Sequence, residues 1–396
     1  MVAVGDRGQD TTTAAGLSAV ALARMGSAAT ALWWGPCALP RSPIVDGIPS
    51  TRPAGRPARP VFRPRLRAPL PNHAISRRPA LGTRLALAGP AVSAPRMLLP
   101  GSSYLVTRRC SERRFFLLPS ELTNQIVLYC LALAAERTGV QVHAFCVLSN
   151  HYHLVVSDPD ARLPECMQWM NSLIARALNA SRGRWENLFE AGSASYSAVR
   201  LESRETLLEK LVYTLANPVS SGLVRHAHTW PGLWSRPRHM MAEPLVAVRP
   251  RQFFRDEDSG GLMPLVASLP LARPPGFDDL SDDDLRELIT GRLLERGTEL
   301  AATAAVEGRA FLGVKGVLAQ RYTDSPTTRE PRRKLDPRVA ERDPGLRIAA
   351  LRRLVDFLLH YRAAWLRFVA GDRAVVFPAG TYALRRRFHV TCADTG

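Results

Sequence analysis

The chain has 396 residues, a formal net charge of +18 and a pI near 10.7. This basic balance indicates an anionic partner, most often nucleic acid, and 46% hydrophobic residues suffice for two or three cores. No apolar run approaches the roughly 18 residues that span a bilayer. The six cysteines form no Cys-x-x-Cys pair, which argues against a zinc ribbon or a disulfide framework. We therefore expect a cytoplasmic, nucleoid-associated protein without a membrane partner.

Residues 1–96 are rich in arginine, proline and alanine and show no helical or strand period. They contain 13 Arg against three Asp, and 13 Pro. Such a segment cannot bury enough apolar surface to offset its ordering entropy, so we expect a disordered extension. Domain-like patterning begins just after Met97, and we expect the natural protein to start there. The alternative is a genuine basic tail that adds nonspecific DNA affinity.

From Met97 onward, turn residues separate predicted strands and helices in the order β-α-β-β-α-β, followed by one further helix. The predicted strands are residues 103–107, 140–148, 151–157 and 194–201, and the predicted helices are residues 121–138, 163–180 and about 204–216. Asn217-Pro218 is expected to end the last helix. The economical solution is an α+β fold, a ferredoxin-like (RRM-like) four-stranded antiparallel sheet with a terminal helix packed on it.

The third predicted strand, residues 151–157, carries two histidines, His151 and His153, on either side of Tyr152. Because strand side chains alternate, the histidines share one face with their roots roughly 7 Å apart, and Tyr152 faces the other way. That spacing suits two imidazoles converging on one metal ion. The structural alternative is one hydrogen-bonded histidine and one at the surface.

Tyr213 and Asn217 lie four residues apart on the last predicted helix. They therefore share one helical face, about 6 Å from each other. A phenol and an amide oxygen so placed can approach the same ion or phosphate.

Together these motifs resemble the single-tyrosine transposases of the HUH endonuclease superfamily, in particular the REP-associated tyrosine transposases. The resemblance covers roughly residues 97–231 and rests on residues 101–109, on residues 142–156 and on Tyr213-Thr214-Leu215-Ala216-Asn217-Pro218-Val219. It implies DNA transposition by a strand transferase that nicks and rejoins single-stranded DNA, at hairpins or repeats, through a 5′-phosphotyrosine. It also implies that a homodimer can form.

The resemblance further implies that His151 and His153 bind a divalent metal ion, Mg²⁺ or Mn²⁺, and that Tyr213 is the nucleophile. Relatives often have Gln as third ligand where this sequence has Asn217, which is one methylene shorter. Asn217 could therefore bind the metal directly, bind it through water, or cap the helix. Tyr196, on a predicted strand, is the alternative nucleophile.

Four arginines, Arg108, Arg109, Arg113 and Arg114, follow the first predicted strand. We expect them to hold DNA phosphates, the alternative being a solvated basic turn. Two other functions remain open from the sequence. One is a domesticated repeat-DNA-binding protein without cleavage activity, and the other is a replication initiator or relaxase of the same superfamily.

The predicted transposase domain spans residues 97–240, and residues 241–396 form a mainly helical region. Helices are predicted at about 282–295, 308–322 and 346–369, the last with a core stripe made of Leu351, Leu354, Val355, Leu358 and Leu359. Residues 313–316 suggest a turn between two helices and are followed by basic residues 329–338. Together they suggest a helix-turn-helix that binds duplex DNA. This region is thus a candidate accessory DNA-binding module.

Overall fold

The computed structural model describes residues 95–190, 196–250, 263–328 and 337–394. The predicted extension lies outside the described residues up to Ala94. The strands are β1 (Ser102–Arg109), β2 (Gln141–Val147), β3 (His151–Asp158), β4 (Ser197–Leu201), β5 (Leu245–Val248), β6 (Val266–Leu269) and β7 (Val339–Ala340). The helices are α1 (Glu121–Thr138), α2 (Leu163–Ser181), α3 (Arg204–Ser220), α4 (Asp282–Val306), α5 (Gly313–Leu318), α6 (Pro344–Val369) and α7 (Ala383–Phe388).

The fold is mixed α/β, built on a five-stranded sheet of order β2-β3-β1-β4-β7. Neighbours among β2, β3, β1 and β4 are antiparallel, whereas β7 pairs with β4 in parallel. The sheet is therefore mixed rather than the four-stranded antiparallel sheet that the sequence predicts. A two-residue strand such as β7 carries no alternation from which it could be predicted. β5 and β6 form a separate hairpin sheet.

The two faces of the main sheet are covered by different helices. α2 meets the face that carries Tyr152, because the Tyr152 hydroxyl donates a 2.7 Å hydrogen bond to Asn171 Oδ1. α3 packs against β2 and β3. A main core extends from Leu98 to Val317, and α4 packs on α3.

α3 begins where predicted but ends later. Ser203 caps its N-terminus by accepting a hydrogen bond from the Thr206 N–H at 3.2 Å. The predicted end at Asn217-Pro218 is wrong, because the helix runs through Pro218 to Ser220. Pro218 sits in the last turn, where its missing N–H costs one helical hydrogen bond without stopping the chain. Asn217 is thereby held in the helix one turn after Tyr213.

The C-terminal region departs from the predictions in several places. α4 runs to Val306 rather than to about residue 295, and α5 covers only residues 313–318 of the predicted helix 308–322. Residues 313–316, predicted as a turn between helices, lie within α5, while residues 329–336 of the basic stretch lie outside the described residues. The predicted core stripe of α6 is wrong, since Leu351, Val355 and Leu359 are 44%, 53% and 57% exposed. α6 instead buries a stripe that contains Ala350, Phe357 and Ala364. Apolar residues lie on several faces of α6, so periodicity could not identify the packed face.

No helix in the described part of the chain is both long and apolar enough to cross a membrane. The five cysteines within those ranges are free thiols.

Candidate active site

The two histidines lie on one face of β3, as their spacing predicts. His151 pairs across the sheet with Arg109 of β1, and His153 pairs with Thr107. The two imidazole centroids are 4.9 Å apart and the rings are nearly perpendicular. His153 is 2% exposed, whereas His151 is half-buried at the start of the strand. The strand therefore brings both rings to one place beside β1.

Asn150 fixes the ring of His151. Its Oδ1 lies 2.7 Å from His151 Nδ1, and its Nδ2 donates to the Arg113 carbonyl at 3.2 Å. Because the carbonyl can only accept, the amide must present its oxygen to the ring, and His151 Nδ1 must carry the proton. The lone pair of this tautomer is then on Nε2.

Thr107 holds His153 in a comparable way. The Thr107 hydroxyl lies 2.8 Å from His153 Nδ1. His153 Nε2 is buried and has no hydrogen-bond partner among the residues that the structure describes. A buried nitrogen without a partner costs about 1–3 kcal/mol, which a ligand at that atom would recover.

Tyr213 of α3 lies against His153, with ring centroids 5.4 Å apart and an interplanar angle of 81°. The phenol is half-buried. Burial raises the pKa of Tyr213 to about 12, although a hydrogen bond with the Asn217 side chain and the charge of Arg109 both act to lower it. The Lys210 ammonium lies 5.9 Å from the centroid of the Tyr213 ring. The candidate nucleophile and one candidate metal ligand are thus in contact.

Both imidazoles are held neutral. Burial lowers the pKa of His153 to about 3, and the positive charge of Arg109 adds to the effect. Burial likewise holds the pKa of His151 well below its ordinary value, helped by His153, Arg109 and Arg113. Neutral imidazole is the form that binds metal ions. Arg109 is therefore a cation close to both histidines and to Tyr213.

Asn217 is buried between Tyr213 of α3 and Ser221, which follows the helix. In addition to its hydrogen bond with Tyr213, its Oδ1 accepts from the Ser221 hydroxyl at 3.2 Å. Within the described ranges, no cluster of three or more His, Cys, Asp and Glu side chains could hold a metal ion. A metal ion at His151 and His153 would therefore need an amide, substrate or water oxygen to complete its ligands. Metal ligation by Asn217 stays a prediction.

The four predicted DNA-binding arginines do not share one surface. Arg109 lies on the histidine face, and Arg108 lies on the opposite face, where its guanidinium is 5.3 Å from the Phe189 ring centroid and donates to the Glu190 carbonyl at 2.9 Å. Arg113 and Arg114 follow the end of β1 and bond to residues 323–328. DNA binding by these residues stays a prediction.

The other tyrosines near the sheet lie away from the histidines. Tyr152 is buried on the face of α2, as expected from the alternation of β3. Tyr196 is buried beneath the Arg96 guanidinium, 3.8 Å from its ring centroid, and is close enough to Tyr152 to affect that phenol's pKa. The geometry therefore favours Tyr213 over the alternative, Tyr196.

Sequence reasoning missed three residues of the site: Thr107, Asn150 and Lys210. Asn150 falls between the second and third predicted strands, where asparagine is a common turn residue and gives no sign of a contact with His151. Thr107 could have been found by aligning the predicted first and third strands as antiparallel neighbours, which places it opposite His153. Lys210 lies three residues before Tyr213, a helical spacing that puts both on one face.

No protein-family model matches the chain, and no curated protein matches it. Among solved structures, the chain is similar to a REP-associated tyrosine transposase bound to a REP hairpin, with 18% identity and a TM-score of 0.31 over 36% of this chain and 82% of that one. It is also similar to a protein described as a transposase from Deinococcus radiodurans R1, with 16% identity and a TM-score of 0.23 over 29% and 88% of the two chains.

Proposed function

We propose that this protein is a transposase-like DNA strand transferase that uses Tyr213 as its nucleophile on single-stranded DNA hairpins or repeats. The observation that carries the proposal is the contact between the Tyr213 ring and His153, whose buried Nε2 has no partner within the described part of the chain. The sequence resemblance to single-tyrosine transposases supports the same roles. The strand order of β1 to β4 fits the ferredoxin-like plan expected for that family.

The site fits a divalent metal ion, Mg²⁺ or Mn²⁺. Two neutral imidazoles on one strand face would hold it, with Asn217, water or a phosphate oxygen as further ligands. When bound, such an ion supplies Lewis acidity and neutralises phosphate charge. Imidazole ligands suit Mn²⁺ better than Mg²⁺.

The reaction assigned to Tyr213 is an in-line displacement at phosphorus. The phenol oxygen forms a bond to phosphorus, the bond to the 3′ oxygen breaks, and a 5′-phosphotyrosine and a free 3′-hydroxyl result. Because the phosphoester is retained, a second 3′-hydroxyl can reverse the step and join DNA without ATP.

The residues around Tyr213 partly offset the rise in its pKa that burial causes. With a pKa of about 12, only about one phenol in 10⁵ is ionised at pH 7. Arg109 and the Asn217 hydrogen bond both favour the phenolate. Arg109 would also hold the phosphate oxygens that gain charge in the transition state. α3 orients the phenol, since Tyr213 and Asn217 are adjacent along one face of the helix.

A labelled hairpin oligonucleotide incubated with the protein and Mn²⁺ tests the proposal. We expect a protein–DNA adduct that survives denaturation and disappears in Tyr213→Phe and in His153→Ala. Tyr196→Phe is the matched control and should retain the adduct. An adduct that persists in Tyr213→Phe would contradict the assigned nucleophile. Tight hairpin binding without any adduct would favour a repeat-binding protein without cleavage activity.

A further inference from the structure

We infer that Asn150 is a positioning residue that selects the tautomer of His151, and that residues 321–328 hold Asn150 in place through Arg113. The purpose of this arrangement, presenting His151 Nε2 to a metal ion, rests on the proposed function. The arrangement itself can be tested in the metal-free protein.

The side chain of Asn150 is oriented by two different partners. Its Nδ2 donates to the Arg113 carbonyl at 3.2 Å, so its Oδ1 is directed to His151 Nδ1 at 2.7 Å. A histidine side chain in water prefers the proton on Nε2. The Asn150 acceptor reverses that preference, because only the Nδ1–H tautomer can donate to it. Hydrogen bonds of this kind set ligand orientation and basicity at metal sites.

The backbone of Asn150 is fixed to the same stretch of chain. Its carbonyl accepts a 2.8 Å hydrogen bond from the Cys110 N–H, and the carbonyl of the preceding Ser149 accepts one from Leu117 at 2.8 Å. The turn between β2 and β3 is therefore docked onto residues 110–117. Any shift of that stretch would move the Asn150 amide relative to the His151 ring.

Two residues within 110–117 are strained and need support. Glu112 and Arg113 are consecutive non-glycine residues with φ of 54° and 58°, a left-handed conformation that costs about 1–3 kcal/mol per residue. Such strain persists where surrounding contacts impose it, and it is concentrated at functional sites.

That support comes from residues 321–328, which follow α5. Arg113 Nη1 donates to the Thr328 carbonyl at 2.7 Å, and Arg114 Nη1 donates to the Thr323 carbonyl at 2.5 Å. The Phe115 N–H donates to the Asp324 carbonyl at 2.8 Å. The strained turn directly follows β1. These three hydrogen bonds connect it to residues 321–328 of the C-terminal region.

A short series of hydrogen bonds, here called the relay, therefore connects the C-terminal region to the candidate site. Thr328 is bonded to Arg113, Arg113 to Asn150, and Asn150 to His151. Residues beyond the predicted transposase domain thus contribute to the geometry of a predicted metal ligand. This gives residues 321–328 a positioning role that is independent of DNA binding.

The test is the tautomer of His151, measured in metal-free full-length protein by long-range ¹H–¹⁵N imidazole correlation spectra. His151→Gln identifies its signals. We expect Nδ1–H in the wild type and a shift toward Nε2–H in Asn150→Ala. Asn124→Ala is the matched control, because Asn124 Nδ2 also donates to a backbone carbonyl, that of Pro231 at 3.1 Å. Its His151 signals should match the wild type.

Two further variants separate the links of the relay. Asn150→Asp keeps an oxygen acceptor for His151 and should retain Nδ1–H, a rescue that a merely structural role would not produce. Arg113→Ala should leave a mixture of tautomers, whereas removal of the exposed Arg292 in Arg292→Ala should not.

Unchanged Nδ1–H in Asn150→Ala would overturn the role of Asn150. Wild-type spectra in Arg113→Ala would overturn the role of residues 321–328. If Asn150→Ala does not fold, loss of Nδ1–H in Asn150→Asp would also overturn the inference, and its retention would support it. The proposed function fails separately, by the absence of a Tyr213 adduct, and that result leaves the tautomer measurement intact.

Discussion

Thr107→Val removes the hydroxyl that holds His153 while keeping a β-branched side chain of nearly the same shape on β1. In the native protein the Thr107 Oγ1 lies 2.8 Å from His153 Nδ1, and the ring is 2% exposed. The valine leaves a buried ring nitrogen without its partner, which costs about 1–3 kcal/mol of folding stability.

Thr107→Val should also weaken metal binding, even under conditions where the variant is fully folded. Removing a hydrogen bond that orients a metal-bound histidine costs about 10- to 100-fold in metal affinity, or about 1.4–2.8 kcal/mol. We expect that decrease for Mn²⁺ in Thr107→Val, measured by isothermal titration calorimetry at a temperature where denaturant melts show the variant folded. Thr107→Ser keeps the hydroxyl and should bind within a few-fold of the wild type.

Two results would contradict a role of the Thr107 hydroxyl in orienting His153. Wild-type Mn²⁺ affinity in Thr107→Val would mean that the hydroxyl does not orient a metal ligand. Equal losses in the serine and valine variants would mean that the methyl group, and hence packing, is responsible.

Two further predictions concern the faces of the sheet. Tyr152→Phe removes the 2.7 Å hydrogen bond to Asn171, so urea unfolding should show that the free energy of unfolding falls by about 1–2 kcal/mol. Adduct formation should be unchanged. Loss of the adduct in a folded variant would place Tyr152 in the site. Arg109→Gln should reduce the slope of log K against log salt for single-stranded DNA by about 0.7, while Arg108→Gln, on the face away from the histidines, should leave it unchanged. Equal slopes in both arginine variants would contradict the separation of the two faces.

Much of the framework could be predicted because its signals are local. The predicted bounds of α1 match those observed, since Ser120 accepts from the Thr123 N–H and Gly139 ends the helix with φ of 72°. The shared face of His151 and His153 follows from strand alternation alone. The placement of Tyr213 beside them required only that α3 pack on that face.

The failures come from contacts between distant parts of the chain. α6 has apolar residues around much of its circumference, so its exposed leucines could not be distinguished from its buried stripe by period. The pairing of β7 with β4 joins residues well over a hundred positions apart. The hydrogen bonds of Arg113 and Arg114 with Thr328 and Thr323 join residues even farther apart, by 215 and 209 positions.

Hydrogen bonds within the site were also beyond sequence reasoning. Asn150 is a common turn residue, and its contact with His151 depends on the Arg113 carbonyl, which is placed by an unusual left-handed backbone. The resemblance implies that Asn217 is a candidate metal ligand, and that role stays a prediction. Its side chain forms hydrogen bonds with Tyr213 and Ser221, partners that helical spacing alone could not rank.

The proposed function depends on a covalent bond between Tyr213 and DNA. Its most direct test is to digest the adduct formed with a hairpin oligonucleotide, first with nuclease and then with protease, and to sequence the modified peptide by mass spectrometry. We expect a nucleotide attached through a 5′-phosphate to Tyr213, in a peptide that also contains Asn217. Attachment at Tyr196, or at any residue away from the histidine face, would contradict the role proposed for Tyr213.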